Sequence, residues 1–304
     1  MKILITGAGG LLGAHLIALL SRGHRVAGTD RHPWWGDQPA TLIPGELADP
    51  SFLEELIRKT QPDCLIHCAA ITDVDLCERD PALAAAMNAD VTRRLVRAVS
   101  PGCRFVYIST DGLFQGDKPM VTEEEPPRPR TVYGKSKGQG EREVRLAGKQ
   151  HLIIRTNFYG WSSGRKKTFG EWLYEGLRAG TPITLFEDFF FTPIYVSDLA
   201  ENLAVLIEGG HQGIFHLGGR DRLSKYQFGK MLAEEAGFSL DSVRVGSLDR
   251  ADFMVARPKD MSLDSGRFFR ATGIPPPEAR AGLIRFLKDR GRPLSRRFKK
   301  ECLA

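Results

Sequence analysis

The sequence has few cysteines, and their spacing indicates neither a disulfide framework nor a zinc site. The chain of 304 residues contains five of them: Cys64, Cys68, Cys77, Cys103 and Cys302. An odd number without a CxxC pair is not typical of either kind of site. Histidine, aspartate and glutamate also lack metal-ligand spacing, so we expect no bound metal. We interpret Cys64 and Cys68, which fall in an apolar predicted strand, as reduced core residues in a reducing compartment.

Long apolar runs are missing as well. No stretch approaches the roughly 20 consecutive apolar residues that a membrane-spanning helix requires. The N-terminus enters a strand-like run directly, without the charged leader, apolar core and cleavage site of a signal peptide. We therefore expect a cytoplasmic protein with no membrane partner.

Neither sign of charge dominates. Lys and Arg number 43 and Asp and Glu number 37, which leaves a formal net charge of +6. Much of the excess lies in residues 285–300, which carry no known nucleic-acid-binding motif, so we expect a solvated C-terminal end and no nucleic-acid partner. A small positive excess suits a negatively charged substrate such as a nucleotide.

Short apolar runs alternate with helical patterns through the first half of the chain. Predicted strands cover residues 2–7, 25–30, 40–47, 64–70, 105–110 and 151–156. Most are apolar on both faces, as the strands of a covered parallel sheet are. Predicted helices lie between them, including a long one between Pro81 and Pro101. The alternation predicts an α/β fold with a doubly wound parallel sheet over residues 1–156.

The pattern changes after about residue 157, where segments become shorter and more aromatic. Residues 157–304 are predicted to form mainly a smaller mixed α+β lobe, with some segments able to return to the sheet. We expect this lobe to cover the ends of the strands and to supply the substrate pocket. No Gly/Ser-rich linker separates the halves, so they should be tightly joined.

Three glycines follow the first predicted strand, in the stretch GAGGLLG over residues 7–13. Gly7 permits a tight turn, Gly10 lets the backbone approach a pyrophosphate, and Gly13 lets the next helix pack closely on the sheet. Leu11 and Leu12 lie at the start of that helix, where free N–H groups and the helix dipole hold phosphate charge. With a strand before it and a helix after it, the loop predicts a dinucleotide-binding (Rossmann) sheet.

Residues at the ends of the second and third predicted strands bear on the choice of cofactor. The Asp30 carboxylate can accept hydrogen bonds from ribose hydroxyls, which favours NAD. The neighbouring Arg31 can instead bind a 2′-phosphate, which favours NADP. The sequence therefore leaves both NADP(H) and NAD(H) open. Glu46 and Leu47 are expected to flank the adenine.

Tyr133 and Lys137 are four residues apart, so in a helix both side chains lie on one face. A nearby ammonium would lower the pKa of the phenol from its usual value of about 10 and make it a useful acid. Thr110, at the end of a predicted strand, offers a hydroxyl to the same carbonyl oxygen. Lys135 lies on a different face of the helix. The constellation predicts transfer of a hydride and a proton to a carbonyl group.

The chain resembles the extended short-chain dehydrogenase/reductases, and within them the dTDP-4-dehydrorhamnose reductase family. Matching segments cover nearly the whole chain: residues 7–13, 67–81, 106–116, 123–141, 153–160, 191–200, 213–219 and 256–268. The resemblance implies NAD(P)H-dependent reduction of a 4-keto sugar linked to a nucleotide, in dTDP-rhamnose biosynthesis. It implies a catalytic set of Thr110, Tyr133 and Lys137, with Asp111 assisting.

The same resemblance places further residues near the ligands. Cys68, Ala69 and Ala70 would pass close to the adenosine and pyrophosphate. At the sugar site this chain departs from the family, because Asn157 and Phe158 stand where a Trp is usual. Gly112 likewise replaces an aromatic residue. Phe158 is expected to line the substrate pocket.

A guanidinium matches phosphate geometry, so Arg257 is a candidate for the substrate pyrophosphate. His67 and Asn88 fall inside a predicted strand and helix. We interpret His67 as a core histidine, and Asn88 as a residue that hydrogen-bonds a strand end.

Two other functions stay open. The first is a nucleotide-sugar epimerase or dehydratase that retains NAD. The second is a non-catalytic dinucleotide-binding regulatory subunit, such as the β subunit of methionine adenosyltransferase. A homodimer is also compatible with the sequence.

Overall fold

The computed structural model describes residues 1–32, 40–148, 150–162 and 167–298. Cys302 lies outside these residues, and the four other cysteines are not in disulfide bonds. Strands in the described residues are β1 (Lys2–Thr6), β2 (Arg25–Asp30), β3 (Thr41–Pro44), β4 (Cys64–His67), β5 (Arg104–Ile108), β6 (His151–Thr156), β7 (Phe158–Tyr159), β8 (Ile183–Phe186), β9 (Phe190–Phe191), β10 (Ile194–Tyr195), β11 (Gly213–Leu217), β12 (Leu223–Ser224) and β13 (Val243–Gly246). Helices are α1 (Leu11–Leu20), α2 (Pro50–Thr60), α3 (Val74–Arg79), α4 (Pro81–Ala85), α5 (Val91–Ala98), α6 (Val132–Leu146), α7 (Phe169–Ala179), α8 (Val196–Glu208), α9 (Lys225–Ala236), α10 (Gly266–Thr272) and α11 (Ala279–Lys288).

Seven parallel strands form the main sheet, in the order β11-β6-β5-β4-β1-β2-β3. The chain runs outward from β1 to β3 and then crosses back to β4 on the other side of β1. Ligands of such sheets bind where the strand order reverses, outside the carboxyl ends of the strands. This confirms the predicted doubly wound α/β fold.

Four strands end earlier than predicted, and the one predicted over 2–7 ends at Thr6. The strand predicted over 40–47 is the short edge strand β3, and an edge position tolerates Pro44. The strand predicted over 64–70 ends at His67, and the one predicted over 105–110 ends at Ile108. Apolar runs mark buried residues, and after β5 the burial continues beyond the end of the strand, through Ser109 and Thr110. The residues beyond the strand ends border the crevice.

The long helix predicted after Pro81 is interrupted. A π-helical turn at 86–90 separates α4 from α5, and such turns are frequent at functional sites. Asn88, in this turn, accepts a hydrogen bond from the Ile71 amide at 2.9 Å and donates to the Ile71 carbonyl at 3.0 Å. The prediction for Asn88 is confirmed, since it holds the loop that follows β4.

Segments after residue 157 build the second lobe around three two-stranded sheets, β7 with β10, β9 with β12 and β8 with β13. Helices α7 and α9 each begin with a capping box, which fixes their first turns. Two elements return to the first lobe: β11 extends the main sheet, and α8 packs against α1. Among the described helices, none has the length and apolar character needed to cross a bilayer.

A buried ion pair joins α6 to the sheet. Arg155 of β6 donates to the Glu141 carboxylate through Nε at 3.0 Å and Nη2 at 2.8 Å. The two side chains are only 2% and 4% exposed. The pair ties the helix that carries Tyr133 and Lys137 to the central strands.

Candidate active site

Two adjoining cavities lie along the carboxyl ends of the strands. The larger, of about 710 Å³, extends from the glycine loop to the second lobe. The smaller, of about 210 Å³, shares Gly7, Gly10, Cys68 and Ala70 with it and extends over the ends of β2 and β3. Together they are lined by all the site residues predicted from the sequence: Gly7, Gly10, Leu11, Leu12, Gly13, Asp30, Arg31, Glu46, Leu47, Cys68, Ala69, Ala70, Thr110, Asp111, Tyr133, Lys137, Phe158 and Arg257.

The glycine loop forms a cradle with no space for side chains. Gly7 has a φ of +66°, and a Cβ there would lie 2.6 Å from the Ala69 nitrogen. A Cβ on Gly13 would lie 2.3 Å from the Gly7 carbonyl oxygen. Helix α1 has Gly10 as its N-cap, without a side-chain capping bond. Its first N–H groups therefore face the cavity as donors for an anion, so these residues fit a dinucleotide pyrophosphate.

At the adenosine end, the backbone holds the Asp30 carboxylate in place. Its two oxygens accept hydrogen bonds from the Gly9 amide at 3.0 Å and the His32 amide at 3.1 Å. The Arg31 guanidinium is more than half exposed and lies 3.9 Å from the Glu46 carboxylate. A contact of this kind contributes little energy, so Arg31 can turn toward a ligand at low cost.

Helix α6 presents Tyr133 and Lys137 to the larger cavity, as their spacing predicts. Thr131 caps this helix and accepts a hydrogen bond from the Gly134 amide at 3.0 Å. Lys137 is 2% exposed, and its Nζ lies 4.1 Å from the centroid of the Tyr107 ring. Burial lowers the pKa of Lys137 to about 7, although the nearby Glu141 carboxylate raises it.

The expected lowering of the Tyr133 pKa is wrong for this structure. Burial raises the pKa of Tyr133 and outweighs the effect of the nearby Thr110 hydroxyl, which lowers it. Removal from water disfavours the charged form of each group, the phenolate of Tyr133 and the ammonium of Lys137. The phenol therefore keeps its proton at neutral pH.

Thr110 and Asp111 follow β5 and are both 5% exposed. The Thr110 hydroxyl donates to Asp111 Oδ1 at 3.1 Å and accepts from the Gly112 amide at 3.0 Å. Asn157 Nδ2 donates to the other carboxylate oxygen at 2.6 Å. Burial raises the pKa of Asp111 to about 6, although Asn157 and the Lys225 ammonium lower it.

The second lobe closes the larger cavity over these groups. Phe158 is half-buried and lines it. Arg257 also lines it, but its guanidinium donates to Asp75 Oδ1 at 2.7 Å. Arg257 therefore has a carboxylate partner that an incoming phosphate would have to replace.

Sequence reasoning missed several lining residues of the second lobe, namely Ser162, Lys167, Thr168, Phe169 and Phe189. It also missed the side chain of Asn157 as a partner of Asp111, and it missed Lys225. No local spacing marks these residues, because they approach the site from separate elements of the lobe. A search for polar residues near its aromatic segments could have found Ser162, Lys167 and Thr168, but not the two phenylalanines.

His67 is a satisfied core histidine, as predicted. Its ring nitrogens lie 2.7 Å from the Thr6 hydroxyl and 3.1 Å from the Thr92 hydroxyl. Burial lowers the pKa of His67 to about 3. Within the described residues, no group of three or more His, Cys, Asp or Glu side chains could hold a metal ion.

Comparison with known proteins gives one family and several relatives. The family described as RmlD substrate binding domain matches residues 1–291. The chain is 31% identical over 285 residues to dTDP-4-dehydrorhamnose reductase of Mycobacterium tuberculosis, covering 90% of this chain and 88% of the relative. It is 30% identical over 273 residues to the probable low-salt glycan biosynthesis reductase Agl14 of Haloferax volcanii. This match covers 87% of this chain and 90% of the relative.

A solved structure of similar shape is dTDP-4-dehydrorhamnose reductase from Bacillus anthracis in complex with NADP. It has a TM-score of 0.83 and 28% sequence identity, and the match covers 95% of this chain and 100% of that one.

Proposed function

The chain belongs to the RmlD substrate binding domain family, and from this premise we propose that it is an NAD(P)H-dependent reductase of a nucleotide-linked 4-keto sugar. The proposed substrate is dTDP-4-dehydrorhamnose, and the proposed pathway is dTDP-rhamnose biosynthesis. The relatives support both, since one is named as a reductase of this sugar and a solved neighbour carries NADP.

One observation carries the proposal: a continuous groove joins the glycine cradle to a phenol, a hydroxyl and an ammonium. Gly7 and Gly13 leave the backbone bare at one end. Thr110, Tyr133 and Lys137 line the same groove at the other. A binding module needs only the first end, whereas the second supplies the groups that reduction of a carbonyl requires.

We assign the roles as follows. NADPH or NADH, when bound, supplies the hydride. Tyr133 gives its phenolic proton to the keto oxygen, so that hydride and proton together convert the carbonyl to an alcohol. The raised pKa of Tyr133 suits this direction, because the donor begins the reaction protonated. Thr110 orients the same oxygen once its hydroxyl proton turns from Asp111 toward the keto group, and Asp111 assists by holding the Thr110 side chain in place until then.

Lys137 restores the proton that Tyr133 loses. Its pKa of about 7 lets the amine gain and release a proton near neutral pH. At the adenosine end, Asp30, Arg31, Glu46 and Leu47 line the smaller cavity. We propose that Arg31 binds a 2′-phosphate and favours NADP(H), with NAD(H) also accepted.

A substrate panel tests the function. The protein is mixed with NADPH or NADH and with 4-keto sugars linked to dTDP, UDP or GDP, and the loss of reduced-nicotinamide absorbance is followed. We expect oxidation of the cofactor with dTDP-4-dehydrorhamnose, in a one-to-one ratio with the alcohol formed. No oxidation with any of these sugars would overturn the proposal.

The two rival functions give different results in the same assays. An epimerase or dehydratase would purify with bound NAD and convert a sugar without net consumption of cofactor. A regulatory subunit would bind the dinucleotide, turn over no sugar and co-purify with a synthetase. Three further properties stay predictions: a cytoplasmic location, a homodimer and the absence of a nucleic-acid partner. Sedimentation analysis tests the homodimer.

A further inference from the structure

Gly112 lines the larger cavity, and the backbone at this position does not require glycine. It lies in the short 3₁₀ turn Asp111–Leu113, and its φ is outside the left-handed region that favours glycine. A Cβ built on it would have its nearest heavy atom at 3.4 Å, an ordinary van der Waals distance. By contrast, a Cβ on Gly7 or Gly13 would lie 2.6 Å or 2.3 Å from a backbone atom. The missing side chain at Gly112 therefore leaves space in the cavity and serves no need of the fold.

This space, which we call the Gly112 recess, lies beside the reacting groups. The atoms nearest to a Cβ on Gly112 would be Thr110 Oγ1 at 3.4 Å, Thr110 Cγ2 at 3.9 Å and Tyr133 Cδ1 at 3.9 Å. In the proposed reaction the keto oxygen lies against the hydroxyls of Thr110 and Tyr133. The recess is therefore close to the carbonyl carbon and to the substituents on the two ring carbons next to it.

Asn157 gives this part of the pocket a hydrogen-bond acceptor. Its Nδ2 donates to Asp111 Oδ2 at 2.6 Å, and Asp111 directly precedes Gly112 in the chain. A carboxylate only accepts hydrogen bonds, so this contact fixes which end of the amide is the donor. Asn157 lines the same cavity, and none of the described residues donates to its Oδ1. The amide oxygen is therefore available to a hydroxyl group of the substrate.

The chemistry of a hexose decides which substituent can extend into such a recess. The neighbours of C4 are C3, which bears a single oxygen or nitrogen atom, and C5, which bears the exocyclic carbon C6. In a 6-deoxy sugar C6 is a methyl group, whereas in the parent hexose it is a hydroxymethyl group. The hydroxymethyl group is longer by one oxygen atom, and its O–H is a hydrogen-bond donor. Empty space beside an acceptor matches it in both length and polarity.

We propose that Gly112 and Asn157 are specificity residues that admit a nucleotide-linked 4-keto hexose with an intact C6 hydroxymethyl group, in addition to the 6-deoxy substrate. The hydroxymethyl group enters the Gly112 recess, and its O–H donates to Asn157 Oδ1. The reaction is unchanged: a hydride adds to C4, Tyr133 gives its proton to the oxygen on C4, and no bond at C6 forms or breaks. This specificity rests on the proposed function, because it widens the substrate class of the same site.

Two sugars that differ by one oxygen atom provide the test. The first is dTDP-4-dehydrorhamnose, which carries a methyl group on C5, and the second is a synthetic analogue with a hydroxymethyl group there. For each sugar with NADPH, kcat/KM is measured from the loss of reduced-nicotinamide absorbance. The ratio of the two values, analogue over methyl sugar, cancels any effect of a variant on the chemical step that both sugars share.

Wild type should reduce both sugars, with kcat/KM values within about tenfold of each other. Gly112→Val fills the recess and should lower the ratio by about 10- to 200-fold, the range for one methylene group that fits a pocket badly. Gly112→Ala fills less of it and should lower the ratio less. Asn157→Leu removes the acceptor and should lower the ratio by about tenfold, as expected for one hydrogen bond. The matched control Gly102→Val should keep the wild-type ratio, because a Cβ on Gly102 meets no atom within 4 Å.

Reduction of the methyl sugar but not of its analogue by wild type would overturn this specificity and leave the proposed function intact. Reduction of the analogue alone would support the recess and overturn dTDP-4-dehydrorhamnose as the substrate, and reduction of neither sugar would overturn both proposals. An unchanged ratio in Gly112→Val would exclude Gly112 as a specificity residue, and Gly112→Ala decides the same point if the valine variant does not fold. An unchanged ratio in Asn157→Leu would exclude Asn157.

Discussion

The buried pair of Glu141 and Arg155 allows a quantitative prediction about the stability of the catalytic helix. Each side chain is at most 4% exposed, and both oxygens of the carboxylate accept a guanidinium N–H. Glu141→Leu would leave the guanidinium buried. Its remaining contacts are a 3.5 Å approach to His216 Nε2 and the Phe114 ring at 5.4 Å. Neither contact supplies a negative charge.

The expected cost follows from this burial. Removing one partner of a buried ion pair typically costs about 3–5 kcal/mol, and whole domains are stable by about 5–15 kcal/mol. Glu141→Leu should therefore remove a large share of the unfolding free energy. Arg155→Leu should cost less, because a buried carboxylate can take up a proton and a guanidinium cannot lose one. The double variant should regain most of the loss, since neither charge then remains.

The free energy of unfolding of wild type, the two single variants and the double variant is measured by urea unfolding, with circular dichroism as the signal. The midpoint should fall sharply in Glu141→Leu at an unchanged m-value, which identifies a change in stability rather than in compactness. A loss below about 1 kcal/mol would indicate that water reaches the pair, as it does for surface pairs. A double variant less stable than Glu141→Leu would also refute the reasoning, because the apolar replacement would then fail to compensate.

Tyr133→Phe removes the phenolic hydroxyl and should lower kcat by about 10²- to 10⁴-fold, the usual contribution of a general acid. The Kd for NADPH, measured by fluorescence titration, should stay nearly the same. Full activity in this variant would remove Tyr133 from its proposed role. Gly13→Ala should weaken dinucleotide binding and lower Tm, because its Cβ would lie 2.3 Å from the Gly7 carbonyl oxygen. The control Gly102→Ala should change neither quantity, because no atom lies within 4 Å of its Cβ. Equal Kd values for the two variants would contradict this prediction. Arg31→Ala should reduce the preference in kcat/KM for NADPH over NADH by about tenfold, as expected for one lost charged contact; an unchanged ratio would mean that the guanidinium does not bind the 2′-phosphate. His67 has a folded pKa of about 3, below its usual value of about 6.5, so its stabilising contribution is present above pH 6.5 and is lost as the pH falls toward 3. His67→Gln should flatten the plot of unfolding free energy against pH by about 1.4 kcal/mol per unit in that window, and parallel plots for the two proteins would refute the assignment.

Features that depend on neighbours in the chain were predictable. The turn at Gly7, the close packing at Gly13 and the shared helix face of Tyr133 and Lys137 follow from backbone sterics and from a period of 3.6 residues. The alternation of apolar runs and helical patterns was also sufficient to predict the doubly wound parallel sheet. Each of these signals lies within one or two consecutive elements, so no knowledge of the distant chain is needed to read it.

Strand ends and the interrupted helix were less predictable. Ser109 and Thr110 continue an apolar run and are buried, but β5 itself ends at Ile108. Asn88 stands in a helical pattern, and its π-helical turn accompanies bonds to Ile71, 17 residues away. Hydropathy reports burial, not the partner of each backbone or amide group, so these details required the structure.

The order of residues along the chain by itself determined that a dinucleotide loop precedes a phenol and an ammonium one helical turn apart. Only the tertiary structure decided the electrostatics of the site. The charge of Lys225, on a helix that begins 114 positions later in the chain, lowers the pKa of Asp111, and burial acts on both groups. The pKa of a group depends on its desolvation and on the charges around it, and both are set by elements that the sequence keeps far apart.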